Sequence, residues 1–374
     1  MLKKIICILL LFCLFANVSY ANELSCKSAL LMDYYTGEVL FKLNPHEKLA
    51  PASVTKIMTL LLAMEEIDKG NLKYDDIVVA SSYAKSMGGS TIFLDEGEQM
   101  SVKDILKGIA VSSGNDACVA IAEHICGSTG AFVEKMNVRA KELNMTNTNF
   151  VNCNGLDDDN HYSTAYDIAL MSRELMKHSD IFDFTGIWMD SLRNGEFTLS
   201  NTNKLIRFYE GATGLKTGST SKAGFCISAT AYRNDMHLIA VIMNSPTSKE
   251  RQRDASSLLN YGFSTYSLKT ALKANEPVPD IPVARGVKDF CKVKCTDEVK
   301  ILSKKDLETE FEINYNIPEI VKAPLKRGDI IGEAVCVSGE KIIGKSPVVI
   351  CEDVKKVNFK YAYGKIIDNW LGNK

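Results

Sequence analysis

From Lys56 to Ile67 the chain has almost no polar face. Ile57, Met58, Leu60, Leu61, Leu62, Ala63 and Met64 cover a helical projection nearly all round. A helix of that kind has to lie at the centre of a domain, wrapped by other elements. The chain is long enough to do the wrapping. Its 374 residues are two to three times a typical single domain, which predicts two domains and a core that needs no disulfide or metal staple.

The elements around this helix mix strand and helix signals. Ala29–Met32 and Glu38–Phe41 flank the turn Asp33-Tyr34-Tyr35-Thr36-Gly37 and predict a hairpin. Helices are expected over Val102–Val111, Asp116–Cys126, Ala131–Leu143, Thr164–His178 and Lys249–Gly262. Ala223–Tyr232 and Met236–Asn244 are β-rich runs joined by Arg233-Asn234-Asp235, a second hairpin. Strands at both ends with helices between predict an α+β domain over residues 22–270. One antiparallel sheet is built from the two ends and covered by a helical middle.

Downstream, Pro277, Pro279 and Pro282 cluster, and a stiff connector is expected over residues 271–282. Residues 283–354 read as a small all-β sandwich. Phe311, Ile313, Tyr315 and Ile317 alternate with polar residues, and Ser338-Gly339-Glu340 separates two further strands. In the tail, residues 355–374, Tyr363, Ile366, Ile367, Trp370 and Leu371 share one helical face. Five lysines against Asp368 make it basic. That pattern suits the surface of an anionic membrane; the alternative is a helix that docks on its own protein.

Net charge is −2, which excludes a strongly basic nucleic-acid binder and an acidic disordered chain. An aromatic share of 8% and a mean hydropathy of −0.04 argue against a polytopic membrane protein. Residues 1–21 have the form of an export signal. Lys3 and Lys4 precede an apolar run from Ile5 to Ala16, and Ser19-Tyr20-Ala21 offers a cleavage site after Ala21. The alternative, a retained anchor, has a short apolar run for a bilayer core of ~30 Å. Of 11 cysteines, two lie in this signal. The other nine show no Cys-x-x-Cys pair and read as small buried hydrophobes rather than ligands or a disulfide framework.

Three short motifs carry chemistry. Ser53-Val54-Thr55-Lys56 opens the buried helix, so Ser53 and Lys56 share a face one turn apart. A serine hydroxyl becomes a nucleophile when a neighbour takes its proton, and a lysine can do so when burial or another cation keeps it neutral. Ser113-Gly114-Asn115 places two polar side chains in a turn before a helix. Lys216-Thr217-Gly218 fits a strand, with Lys216 and Gly218 on one side and Thr217 on the other. Such a strand can edge a cleft with a cation and leave room for a substrate backbone.

In this order the three motifs are those of the penicillin-binding proteins and class A β-lactamases. The chain resembles the low-molecular-mass penicillin-binding proteins that act as D-alanyl-D-alanine carboxypeptidases. Pro51–Thr59, Ser86-Met87-Gly88-Gly89-Ser90, Val111–Ala117, Gly155-Leu156-Asp157 and Gly214–Gly218 carry the resemblance. It extends from about Leu24 to Asp353, with the β domain and basic tail resembling that family's stalk and anchor. It implies a serine β-lactamase/DD-peptidase-like domain followed by the all-β domain. The substrate implied is a peptidoglycan stem peptide ending in D-Ala-D-Ala, with β-lactam antibiotics as inhibitors. The setting implied is the outer face of the cytoplasmic membrane. No metal or cofactor is called for.

Residue by residue, the resemblance makes Ser53 the acylated nucleophile and Lys56 its base. Ser113 and Asn115 would relay protons and hold the substrate amide. Lys216 would help bind the substrate carboxylate and keep Lys56 deprotonated. Backbone N–H groups of Ser53 and Ser219 would form the oxyanion hole. Thr217 and Arg251 would bind the terminal carboxylate, with Arg253 the competitor for the second role and Gly218 leaving space. Ser219 stands where relatives often carry His.

The other hydrolytic routes are poorly supplied. The five histidines form no His-Glu-x-x-His and none lies in Gly-x-Ser-x-Gly. His161, before the helix cap Tyr162-Ser163-Thr164, reads as structural or at the cleft rim. Asp157-Asp158-Asp159 reads as a solvated loop. Two other functions share parts of the pattern. A class A-like β-lactamase would need a deacylating Glu, for which Glu142 is the superficial candidate. A non-catalytic β-lactam sensor or wall-binding module would not need the intact Ser53, Lys56 and Lys216.

Overall fold

A computed structural model describes residues 24–307 and 310–370. The expected signal over residues 1–21 lies outside them. Two compact units divide the chain near Gly262, with the three residues 234–236 grouped with the second.

The first unit is built on a five-stranded sheet. Its strands are β1 (Ser28–Asp33), β2 (Val39–Leu43), β3 (Ala212–Thr220), β4 (Gly224–Arg233) and β5 (Met236–Ser245). Their order is β2-β1-β5-β4-β3, so the chain's early and late strands meet at the β1–β5 pair and β3 is an edge. The turn between β4 and β5 carries Asn234 and Asp235, both at positive φ, as a two-residue hairpin requires.

Between β2 and β3 lies the helical middle: α1 (Lys56–Asp68), α2 (Val102–Ser112), α3 (Asn115–Cys126), α4 (Thr129–Glu142) and α5 (Ala165–Leu175). After β5 comes α6 (Ser248–Thr265). The apolar circumference of α1 has the predicted consequence: Ile57 through Met64 are all buried, and α2, α3 and α5 pack around them. Ser101, Ser128 and Thr164 cap α2, α4 and α5 by accepting a backbone N–H three residues on.

The second unit is all-β. Strands β6 (Tyr266–Leu272) and β9 (Val299–Lys304) form one sheet. The six-stranded sheet holds β7 (Pro277–Ala284), β8 (Phe290–Cys295), β10 (Glu312–Asn316), β11 (Val321–Lys322), β12 (Ile330–Ser338) and β13 (Lys341–Ile350). Leu272 and Val299 from the first sheet share a core with Val278, Cys291, Ala334 and Val348 from the second.

The connector expected over residues 271–282 is therefore corrected: it runs into β6 and β7 and is part of the β domain. Val278, Ile281 and Val283 are buried, and that burial outweighs the prolines. The prolines are tolerated because β11 pairs only with Val283 and Ala284. Along the rest of β7 one side has no partner strand to need a proline N–H.

The tail forms α7 (Phe359–Trp370). Its approach is tied to the β domain by Val357 N–H to the Arg285 carbonyl and by the Tyr361 hydroxyl to the Val287 carbonyl. Its apolar face stays open: Phe359, Tyr363, Ile366 and Trp370 are exposed. Leu371 and Lys374 lie outside the described residues. The nine cysteines of the described residues are all free, seven of them buried.

Candidate active site

A single turn of tight helix, Ala52–Thr55, leads into α1 and sets Ser53 above Lys56. Ser53 Oγ and Lys56 Nζ are 2.9 Å apart. Lys56 is fully buried, yet its amine has two further partners. Asn115 Oδ1 lies at 2.7 Å and the backbone carbonyl of Asn154 at 2.6 Å. Burial pulls the Lys56 amine below its ordinary 10.5, against smaller opposing fields from Cys118, Cys153 and Asp116.

The three oxygens around the amine would suit an ammonium donating to all of them, and they also suit the neutral amine that burial favours and catalysis needs. Both oxygens of Asn115 and Asn154 can only accept, so they take two N–H bonds. A neutral amine has two hydrogens and one lone pair. With both hydrogens committed, the lone pair is left for the Ser53 hydroxyl, which is the geometry of a general base beside its nucleophile.

Lys216 lies on the edge strand β3. It is buried, and its ammonium turns back to the Thr217 carbonyl at 3.0 Å. Burial holds it well below 10.5, with repulsion from Lys56 adding to the effect. Two buried amines that repel each other titrate as a pair, so a charge on one disfavours a charge on the other.

Residues of all three motifs line one cleft of about 150 Å³: Ser53, Ser113, Thr217, Gly218, Ser219 and Arg251. Ser113 has left-handed backbone, φ 63°, and its buried Oγ has no hydrogen-bond partner. A buried hydroxyl left open in a cleft is available to a ligand. Thr217 Oγ1 donates to Thr202 Oγ1, a cleft residue with no signal in the sequence. Gly218 passes so close to the nucleophile that a Cβ there would stand 2.6 Å from the Ser53 nitrogen. That approach brings the backbone of β3 against the N–H of Ser53.

The comparisons with known proteins bear on the same residues. Residues 16–247 match a family model described as D-alanyl-D-alanine carboxypeptidase. The chain belongs to the D-alanyl-D-alanine carboxypeptidase family. Residues 266–356 match the C-terminal domain of penicillin-binding protein 5. The D-alanyl-D-alanine carboxypeptidase DacF of Bacillus subtilis is 44% identical over 352 residues, which is 92% of this chain and 90% of that protein. Penicillin-binding protein 5 of Haemophilus influenzae superposes with a TM-score of 0.74 at 32% identity, covering 90% of this chain and all of that one. Penicillin-binding protein D2 of Listeria monocytogenes, solved in an ampicillin-bound form, covers 65% of this chain and 99% of its own. Its TM-score is 0.57 at 30% identity.

As a carboxypeptidase-family hydrolase the chain has distinctive placements. Arg251, on α6, is buried at the cleft and its Nε has no partner. Arg253 instead donates to Ser25 Oγ and is not among the residues that line the cleft. Asn115 does not line the cleft. Its amide donates to the Gly88 carbonyl while its oxygen faces Lys56, so both ends are engaged. Glu142, the superficial deacylation candidate, is exposed and paired with Arg139, which removes the basis for the β-lactamase reading. Ser219 is exposed at the rim beside Gly218.

The loop of residues 151–161 was the least legible part. It supplies the Asn154 carbonyl. It also brings Gly155, at φ +90°, so close that a Cβ would stand 1.9 Å from the Ala52 oxygen. The Gly155-Leu156-Asp157 triplet carries its resemblance, and Asp157-Asp158-Asp159 and His161 read as bland features.

Proposed function

We propose that the protein removes the terminal D-alanine from peptidoglycan stem peptides ending in D-Ala-D-Ala. The observation that carries this is the fully buried Lys56 amine 2.9 Å from Ser53 Oγ, lowered by burial and able, once neutral, to give its two hydrogens to Asn115 and Asn154 and turn its lone pair to Ser53. Ser53 attacks the penultimate carbonyl while Lys56 takes its proton. The oxyanion forms against the N–H groups of Ser53 and Ser219. Ser113 passes the proton on to the leaving nitrogen, D-alanine departs, and water hydrolyses the Ser53 ester. Thr217 and Arg251 hold the terminal carboxylate, the unpartnered Nε of Arg251 supports that role, and Lys216 helps through its positive charge beside the cleft. Gly218 keeps the cleft open for the peptide backbone.

β-Lactams acylate Ser53 because a strained amide offers the same carbonyl to the same nucleophile. The family resemblance and the ampicillin-bound relative support this. The test of the reaction is release of free D-alanine from a tripeptide ending in L-Lys-D-Ala-D-Ala. The protein is expected to release it, and Ser53→Ala to release none. Release by Ser53→Ala equal to that of the wild type contradicts the assignment.

We infer further that the protein is exported and rests on the outer face of the cytoplasmic membrane. Among the described residues no helix is long and apolar enough to cross a bilayer. The exposed Phe359, Tyr363, Ile366 and Trp370 of α7, flanked by lysines, suit the plane of an anionic surface. The full chain should co-sediment with phosphatidylglycerol vesicles, and a chain ending at Val357 should not. Equal sedimentation of both contradicts this.

A further inference from the structure

Behind the nucleophile turn lies a histidine that the reaction as described does not use. His161 is buried, and each ring nitrogen has one partner. Its Nδ1 accepts the backbone N–H of Val151 at 3.0 Å. That bond fixes the tautomer, so the ring proton sits on Nε2. Nε2 in turn donates to Thr55 Oγ1 at 2.8 Å. The ring therefore spans two segments. Val151 lies three residues before Asn154, whose carbonyl faces the Lys56 amine, and Thr55 immediately precedes Lys56.

A second tie runs parallel to it. One helical turn beyond Thr55, Thr59 Oγ1 donates to the Cys153 carbonyl at 2.6 Å. On the other side of Asn154, Gly155 lies directly on the Ala52 carbonyl. The loop is thus fixed to the start of α1 on both sides of the point where Asn154 meets Lys56. Burial keeps the imidazole down at about 4, so the ring is neutral near pH 7 with the tautomer these two bonds need.

We propose that His161 is a positioning residue for acylation: its ring sets the spacing between the Asn154 carbonyl and the Lys56 amine, and so aims the amine at Ser53. This rests on the reading of Ser53 and Lys56 as nucleophile and base. Small displacements at such a pair are expensive, since misplacement by about 1 Å can cost on the order of a hundredfold in rate.

The experiment measures the first-order rate of Ser53 acylation by benzylpenicillin, followed by intact mass across pH. The rate constant is read per acylated molecule, so a smaller folded fraction does not enter it. His161→Asn keeps an acceptor for Val151 and loses the donor to Thr55. Thr55→Val removes the other partner without changing shape. Each is expected to slow acylation by about tenfold or more and to move the midpoint of the acid limb. The double variant is expected to be no slower than the slower single one, because both cut the same bond. His161→Gln, which can place an amide donor near the Nε2 position, is expected to recover most of the rate.

Rates within twofold of the wild type for both His161→Asn and Thr55→Val overturn the proposal, even if both variants melt earlier. Multiplying effects in the double variant overturn it as well. A wild type that forms no adduct overturns the Ser53 reading and this proposal together. An acylating wild type with insensitive variants overturns this proposal alone.

Discussion

The carbonyl oxygen of Asn154 stands 2.6 Å from Lys56 Nζ and, with Asn115 Oδ1, accounts for both hydrogens of a neutral amine. Replacing the amine by a group that cannot lose its proton should therefore stop the reaction even if the charge is kept. Lys56→Arg and Lys56→Met are both expected to slow acylation by about 10²–10⁴-fold. Substantial acylation by Lys56→Arg, measured by stopped-flow mixing with a chromogenic cephalosporin, would show that the residue acts through charge rather than as a base.

Acylation should rise with pH along a limb set by the amine pair. Protonated Lys56 cannot accept the Ser53 proton, so rate is lost as pH falls through the pair's apparent pKa. Burial places that limb below 10.5. Lys216 is lowered in part by the Lys56 charge, and the coupling is reciprocal. Lys216→Met should move the limb to higher pH. A limb that stays in place after this substitution contradicts the coupling.

Two glycines separate folding from chemistry. Gly155→Ala meets both a positive φ and the Ala52 carbonyl, and is expected to cost at least ~2 kcal/mol in urea unfolding and to slow acylation. Gly218 carries no such backbone restriction, but its added methyl would press on the Ser53 nitrogen. Gly218→Ala should therefore lose acylation out of proportion to stability. Equal acylation by Gly218→Ala and the wild type would remove β3 from the oxyanion site.

How far the sequence reveals this site depends on which atoms make it. The buried helix, both hairpins of the first unit and the three motifs are local patterns, and local patterns are readable. The Asn154 carbonyl is a backbone atom, so no residue type announces it. Thr202 reaches the cleft through a hydroxyl pair with Thr217 across the fold. His161 reads as structural or at the cleft rim, and its role stays hidden because its partners, Thr55 and Val151, are set by tertiary packing. Strand β7 was hidden by prolines whose missing N–H groups face an unpaired side. Lys216 follows strand alternation, yet turns to a carbonyl beneath the cleft rather than lining it.

Stability should fall on mild acidification. Burial holds His161 and His237 at about 4, below the ordinary 6.5. The folded pKa is the lower one, so the unfolded chain binds more protons between those values. Stability is complete above pH 6.5 and is lost as pH falls toward 4, by up to ~3 kcal/mol for each histidine. Urea unfolding across this window should show the decline, and His237→Gln should flatten it. A stability independent of pH there contradicts the burial of both rings as neutral groups.

Arg251 should act on substrate recognition rather than on the nucleophile. Arg251→Ala is expected to reduce kcat/KM for a peptide with a free terminal carboxylate by about 10–100-fold. Turnover of the same peptide as its terminal amide should change little. Equal losses on both substrates would place Arg251 in support of the fold instead.

The most direct measurement is intact mass followed by peptide mapping after exposure to benzylpenicillin. A single adduct on the peptide bearing Ser53, absent from Ser53→Ala and slowed in Lys56→Arg, is the predicted result. An adduct that persists undiminished in Ser53→Ala, or none on the wild type, would contradict the assignment of Ser53 and Lys56 as nucleophile and base.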